Sequence, residues 1–142
     1  MRLVCGATCV LFLALPLIGC DDHKIVPLPP VPPTEIVGWS PLGTWSDDAS
    51  IFTETITSDS AAFRVHWQAT PLPTAAPGTG SLSVIFRSGD SGNPIINAVT
   101  NVQPGSGTVN VAAERPRWYY LDIKSEGVQW TVSVEEPIYG TR

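Results

Sequence analysis

The sequence predicts an all-β fold, an antiparallel β-sandwich of about eight strands, and three observations lead to that prediction. Apolar and polar side chains alternate in short runs from residue 35 onward, which is the period of a strand with one buried face. Turn-forming Gly, Pro, Asn, Asp and Ser separate these runs. No stretch keeps the helical period of 3.6 residues. Since each strand then has one wet face, two sheets should pack together, with a small closed β-barrel as the alternative.

The clearest alternation occurs in residues 62–69, where Phe63, Val65 and Trp67 share one face and His66 lies on the other. Successive side chains of a strand point to opposite sides of a sheet, so the first three should be buried and His66 should be exposed. The remaining predicted strands are residues 81–87, 117–124 and 128–134, which also alternate clearly, and residues 36–40, 51–57, 95–100 and 108–112, which alternate more weakly.

The N-terminal residues have the features of an export signal. Arg2 provides a positive charge, and the apolar run at residues 10–18 is shorter than the ~20 residues that a membrane-spanning helix needs. The run ends in Leu17-Ile18-Gly19-Cys20, which resembles the lipobox of bacterial lipoproteins. That resemblance implies that residues 1–19 are a signal peptide and that Cys20 carries a lipid anchoring the protein to a membrane of the bacterial cell envelope. An ordinary secretory signal with a chance cysteine is the alternative.

A proline-rich segment follows the predicted lipid site. Residues 20–33 include Pro-Leu-Pro-Pro-Val-Pro-Pro at positions 27–33. Proline fixes φ and removes amide donors, so this segment should form an extended polyproline II spacer between the membrane and a domain at residues 34–142. The alternative interpretation is a ligand for a proline-recognising groove.

Composition argues against several classes of function. The chain has 13 acidic residues against 8 Lys and Arg, and it has no basic run, so we expect no nucleic-acid partner. Cys5 and Cys9 precede Cys20, so the domain has neither a disulfide nor a thiolate metal ligand. His66 is the sole histidine of residues 34–142, which argues against a multi-histidine metal site.

The remaining catalytic and metal-binding possibilities are few. A hydrolase would have to use His66, and no serine lies in the Gly-x-Ser-x-Gly pattern. Calcium would need converging oxygens, and turn chemistry explains the candidate loop residues without an ion. We therefore predict a non-enzymatic domain with no cofactor other than the lipid on Cys20. The candidate calcium groups are Asp47 with Asp48 and Asp59, and Asp90 with Asn93.

The aromatic residues give the best indication of a binding surface. Trp118 and Tyr120 alternate with Tyr119, so they should lie on the wet face of their strand, where Arg115 and Arg117 flank them in sequence. An exposed aromatic pair of this kind can stack on a sugar or anchor a protein partner.

The other tryptophans have different predicted roles. Trp67 and Trp130 share strand faces with valines and should be core residues. Trp39 and Trp45 lie in a Gly-rich segment and could form a second aromatic platform or close the end of the sandwich. The alternative for all of these aromatic residues is structural packing.

Several segments together resemble small extracellular sandwich modules of secreted and envelope proteins. The resemblance spans most of residues 36–135 and implies the fold, while it transfers no catalytic residue. The segments that carry it are Gly38-Trp39, Phe63-Arg64-Val65-His66-Trp67, Tyr119-Tyr120-Leu121-Asp122-Ile123 and Trp130-Thr131-Val132-Ser133-Val134.

The sequence thus predicts a lipid-anchored envelope protein whose domain faces the periplasm or the cell surface and binds a protein or a glycan. The first alternative is a structural or accessory subunit of an envelope assembly. The second is a hydrolase using His66. The candidate ligand-binding residues are Trp39, Trp45, Arg115, Arg117, Trp118 and Tyr120.

Overall fold

The computed structural model describes residues 34–115 and 117–141. These residues form nine β-strands in two antiparallel sheets that do not close into a barrel, so the predicted sandwich is confirmed and the barrel alternative is wrong. The predicted signal peptide, the lipobox with Cys20 and the proline-rich linker lie outside the described residues. The strands are β1 (Thr34–Asp47), β2 (Ile51–Phe52), β3 (Ile56–Ser58), β4 (Ala62–Pro71), β5 (Ser81–Ser88), β6 (Pro94–Val102), β7 (Gly105–Ala112), β8 (Arg117–Glu126) and β9 (Val128–Thr141).

The strands divide between a four-stranded and a five-stranded sheet. The four-stranded sheet has the order β1-β9-β4-β7, and the five-stranded sheet has the order β2-β8-β5-β6 with β3 also pairing with β8. β8 and β9 are consecutive but belong to different sheets, so the chain changes sheets at Gly127. Gly127 has φ +63°, a left-handed conformation that glycine adopts without a steric cost.

The core lies between the two inner faces and contains the side chains that the alternation predicted. Phe63 of β4 is at the centre, with its ring centroid 4.6 Å from that of Phe86 and 5.1 Å from that of Tyr119. Each buried Å² of apolar surface contributes about 25 cal/mol, so these rings are a main source of stability. The other core side chains that are at most 1% exposed are Val65, Leu82, Val84, Leu121, Ile123, Val128, Trp130, Val132 and Val134.

Three predicted strands differ clearly from those observed, and one of them is β9, which continues from the predicted end at Val134 to Thr141. β1 extends well beyond residues 36–40 because register shifts after Ile36 and after Pro41 let it continue pairing with β9. Pro41 is tolerated there because β1 is an edge strand. The predicted strand at residues 51–57 is divided into β2 and β3, between which Thr53 bonds to Leu121 through both its backbone N–H and its hydroxyl.

Candidate functional site

The outer face of the five-stranded sheet carries large exposed aromatic side chains. Tyr119, Leu121 and Ile123 of β8 are fully buried, so the alternate residues of that strand point away from the core. Trp118 therefore lies on the outer face, with 58% of its surface exposed. Tyr120 is on the same face and is half-buried.

Phe52 completes this surface, and sequence reasoning missed it. β2 places Phe52 opposite Asp122 of β8, where its ring meets Tyr120 edge-on with centroids 5.9 Å apart. Phe52 is 68% exposed. We call Phe52, Trp118 and Tyr120 together the aromatic face. The alternation within residues 51–57 was too weak to indicate which side chain points outward.

An ion pair lies within the same surface. Asp122 is only 4% exposed, and its Oδ2 accepts hydrogen bonds from Nε and Nη2 of Arg87, both at 2.8 Å. Arg87 also donates through Nη1 to the carbonyl oxygen of Gly92 at 3.0 Å. A buried carboxylate without a partner would be strongly destabilising, so the buried Asp122 requires the cation of Arg87 beside it. The pair compensates its own two charges, whereas the exposed Lys124 lines a pocket with Phe52 and Asp122 at the margin of the same surface.

The two predicted flanking arginines do not lie together on the aromatic face. Arg117 pairs with the buried Ser58 and is two residues from Tyr119 in β8. Residues two apart in a strand lie on the same face, so Arg117 lies on the side of β8 opposite Trp118. Arg115 is exposed in the loop before β8, and its carbonyl oxygen accepts a hydrogen bond from the Tyr119 hydroxyl at 2.7 Å. Burial raises the pKa of Tyr119 above its usual 10.0, and the cations of Arg117 and Arg115 oppose that rise.

Trp39 and Trp45 have different partners and do not form a second aromatic platform with each other. Both lie within β1 in the other sheet and are half-buried. The guanidinium carbon of Arg64 is 4.1 Å from the ring centroid of Trp39, a cation–π contact. Trp45 packs against the core and donates through Nε1 to the Glu54 carboxylate at 2.9 Å. Neither ring contributes to the aromatic face.

The two predicted core tryptophans are buried to different degrees. Trp130 is 1% exposed and donates through Nε1 to the carbonyl oxygen of Ala49 at 3.0 Å. Trp67 is half-buried at the margin of the core, lying directly over Gly107 of the neighbouring strand. A Cβ at position 107 would come within 2.7 Å of the Trp67 Nε1, which explains glycine there.

His66 belongs to a polar network on the outer face of the four-stranded sheet. Its Nδ1 is hydrogen-bonded to Oγ1 of Thr108 at 2.9 Å, and its Nε2 to Oε2 of Glu135 at 3.1 Å. Arg64 bonds to the same carboxylate oxygen at 2.6–2.7 Å. The hydrogen bond from Arg64 lowers the pKa of Glu135 below its usual 4.5, and that from His66 acts in the same direction. The network borders a shallow groove of about 350 Å³.

The acidic residues considered for calcium do not converge. The Asp47 carboxylate accepts hydrogen bonds from the amides of Asp48 and Ala49, which is ordinary turn capping. The amide of Asp59 donates a hydrogen bond to the Glu136 carboxylate. Glu136 lies six residues along β9 from Trp130, the residue that pairs with Asp47, so Asp59 and Asp47 are about 20 Å apart. No group of three or more His, Cys, Asp or Glu that could hold a metal occurs among residues 34–115 and 117–141.

The second calcium candidate, Asp90 with Asn93, forms a turn between β5 and β6. The amide of Ser88 donates to the carbonyl oxygen of Asn93 at 2.9 Å, and the hydroxyl of Ser88 accepts from the amides of Asp90 and Ser91 at 3.3 Å. Ser88 is the capping side chain in these bonds, and Asp90 and Asn93 take part through their backbone groups.

The fold and the aromatic face define a small β-sandwich with one polar and one aromatic outer surface. No protein-family model and no curated protein sequence matches the chain. Within the described residues, no helix has the length and apolar character needed to cross a membrane. Any functional conclusion therefore rests on the residues themselves.

Proposed function

We propose that the chain is a lipid-anchored protein of the bacterial cell envelope whose sandwich domain is a non-enzymatic binding module. The anchor rests on the lipobox-like run Leu17-Ile18-Gly19-Cys20 and on the proline-rich segment that precedes β1. One observation carries the binding role: Trp118 is exposed beside Tyr120 and Phe52 on the outer face of the five-stranded sheet.

The aromatic face supports a binding role better than a purely structural one. Trp and Tyr are the residues that most often dominate binding energy, because they bury a large area with little loss of side-chain entropy. A structural or accessory subunit would use such rings for internal packing, whereas Trp118 and Phe52 remain mostly in solvent. Covering them would bury apolar surface at about 25 cal/mol per Å².

A protein is the partner that this surface favours. Protein interfaces combine aromatic side chains with few unpaired charges at their centre. Arg87 and Asp122 neutralise each other within this surface, and the exposed Lys124 lies at its margin, where it lines a pocket with Phe52. A glycan is the second candidate ligand, because the exposed indole of Trp118 is a group that can stack on a sugar ring.

Site-specific crosslinking in intact bacterial cells tests the binding surface. Thr57 is exposed and pairs with Trp118 across the strands, so a photo-reactive residue at position 57 should crosslink the partner protein. The crosslinked product should disappear when Trp118→Ala is added. The matched control is a photo-reactive residue at Gln129, which is exposed on the other sheet. A product that survives Trp118→Ala, or that forms equally from Gln129, would contradict the proposed surface.

Fluorescence separates the glycan from the protein alternative. We expect acrylamide to quench the wild-type chain more strongly than Trp118→Ala, because the other tryptophans are at least half-buried. Envelope glycans that protect the wild type from quenching, but leave Trp118→Ala unchanged, would identify the ligand as a sugar. A lack of protection combined with the crosslink at position 57 would identify it as a protein.

The anchor is tested independently of the binding surface. Wild-type chain expressed in bacteria with labelled palmitate should carry the label and partition into detergent, and Cys20→Ser should lose the label. Lipid contributes about 0.8 kcal/mol per buried methylene, so the two or three acyl chains expected on a lipobox cysteine should change the partition strongly. Absence of label on the wild type would refute the anchor and leave the binding proposal untouched.

A hydrolase is a second candidate function, because His66 bridges the Thr108 hydroxyl and the Glu135 carboxylate. That order of groups is the one found in Ser–His–Asp triads. Arg64, however, shares the same carboxylate oxygen, which weakens the support that Glu135 could give to an imidazolium. If any ester hydrolysis is found, His66→Ala should abolish it, and unchanged activity would exclude this mechanism.

A further inference from the structure

The edges of the two sheets differ in how well they are protected. An edge strand presents unpaired N–H and C=O groups, and proteins usually block such strands with prolines, bulges, charges or shortness. The four-stranded sheet ends in β1 and β7, and the five-stranded sheet ends in β6 on one side and in β2 and β3 on the other. These edge strands can be compared for prolines, bulges, charges and length.

Three of these edges are blocked. β1 contains Pro41 and two irregularities in its register with β9. β6 begins with Pro94, has three register irregularities against β5, and places Asn101 at a left-handed φ of +45°. β2 and β3 are two and three residues long. None of these edges offers a straight run of backbone to another strand.

β7 has none of these devices. It pairs with β4 over eight consecutive residues without a register shift, and Gly105–Ala112 contains no proline and no charged side chain. Its other side pairs with no strand of the described residues. The polar Ser106, Thr108 and Asn110 are exposed on the outer face, and Val109 is half-buried on the inner face. β7 is thus a regular, uncharged strand that is available for pairing.

We propose that β7 pairs antiparallel with β7 of a second copy of this chain, joining two four-stranded sheets into one continuous sheet. The lack of charge on β7 permits a second copy as the occupant and selects β7 rather than β1 as the edge at which two copies meet. The chain has a net charge of −5, so two copies repel each other over much of their surface. β1 carries Glu35 and Asp47, whereas β7 lets two acidic copies meet without opposing carboxylates.

The sequence of β7 also complements itself. A twofold axis through Val109 places Val109 opposite its own copy on the inner face, and Thr108 opposite Asn110 of the second copy on the outer face. The same axis places Ser106 opposite Ala112. Pairing about this axis keeps inner residues opposite inner residues and outer opposite outer, as a twofold interface between identical strands requires. Favourable cross-strand pairs contribute about 0.2–1 kcal/mol each.

Disulfide crosslinking tests the pairing and its register. The protein is the full chain with Cys5, Cys9 and Cys20 replaced by Ser, purified in detergent. Val109→Cys should form a disulfide-linked dimer on mild oxidation, since directly opposite residues lie within bonding reach. The matched control is Ser106→Cys, whose two copies would lie about 20 Å apart in this register and should stay monomeric. Equal crosslinking at both positions would overturn the register.

Charge substitutions at two outer positions test the contact without cysteines. Ser106→Lys with Ala112→Lys places like charges directly opposite each other at both ends of the pairing, and the dimer should be lost in sedimentation. Ser106→Lys with Ala112→Glu makes the same opposed pairs attractive and should restore it. Both variants charge the same exposed positions, so they should perturb the fold of the single chain to a similar extent.

Three results would overturn the proposal. The first is a monomeric wild-type chain at every concentration tested. The second is a dimer that persists in the Lys–Lys variant, which would place the contact elsewhere, including the segment before β1. The third is loss of the dimer in both charge variants. The aromatic face lies on the other sheet, so none of these results bears on the function proposed for it.

Discussion

Both sheets contribute an apolar inner face to one core, but their outer faces are chemically different. On the four-stranded sheet, the outer side chains bond to one another. Thr44 and Ser133 are hydrogen-bonded at 3.0 Å, and Ser46 and Thr131 at 2.8 Å. On the five-stranded sheet, Trp118 instead exposes more than half of its surface.

This difference shows what alternation can and cannot decide. A period of two requires one face of each strand to be apolar, and that is enough to build the core. The alternation does not determine which side chains occupy the other face. The polar outer face is satisfied by its own hydrogen bonds and gains little by being covered, while the aromatic face leaves apolar area in water that a partner could bury.

The largest effect should come from the core. Trp130→Ala should lower the free energy of unfolding by about 3–5 kcal/mol, since it creates a cavity and leaves the Ala49 carbonyl without its indole donor. Urea unfolding of the wild type and the variant would measure the loss. Trp130→Phe is the control, because it keeps most of the ring volume and should lose less. A loss below about 1 kcal/mol would show that the inner faces are less tightly packed than described.

The main features of the fold were predictable, because the buried apolar side chains of β4, β5, β8 and β9 fall mainly on alternate positions. The exceptions have local physical causes that differ between strands. β1 continues through two bulges, and a bulge shifts the alternation by one residue, so a pattern search stops there. β2 and β3 were predicted as one strand because hydrogen bonds of Thr53, rather than any polar turn sequence, separate them.

The polar outer face should lose stability in acid. Because the pKa of Glu135 is held below its usual 4.5, the folded protein binds this proton less readily than the unfolded chain. The stabilisation is therefore present above the unfolded pKa and is lost as the pH falls through the lower, folded pKa. We expect the urea midpoint of Glu135→Gln to fall less than that of the wild type between about pH 6 and pH 3.

A control separates this effect from general acid sensitivity. Glu114→Gln removes an exposed carboxylate that makes no hydrogen bond with the described residues, and its midpoint should follow the wild type. Equal acid sensitivity of Glu135→Gln and the wild type would mean that the contacts of Glu135 with Arg64 and His66 do not contribute to stability. The contrast between the two outer faces would then lose its energetic basis.

The candidate site was only partly predictable. Trp118 and Tyr120 follow from alternation within one strand, whereas Phe52, Thr108 and Glu135 depend on which strands are neighbours and in which register. No local pattern encodes that register. Arg117 shows the same limit, because adjacency to Trp118 in sequence places it on the opposite side of the strand.

The smallest effect on stability should come from the aromatic face. Trp118→Ala should change the free energy of unfolding by no more than about 0.5 kcal/mol, because the ring is 58% exposed and donates no hydrogen bond to the described residues. Urea unfolding of both variants, Trp118→Ala and Trp130→Ala, compares the same substitution on an outer face and in the core. A loss above about 2 kcal/mol would mean that Trp118 is a packing residue and would remove the main support for a binding surface. Unchanged stability together with a lost crosslink at position 57 would instead assign this ring to recognition, because the variant would keep the fold and lose only the partner.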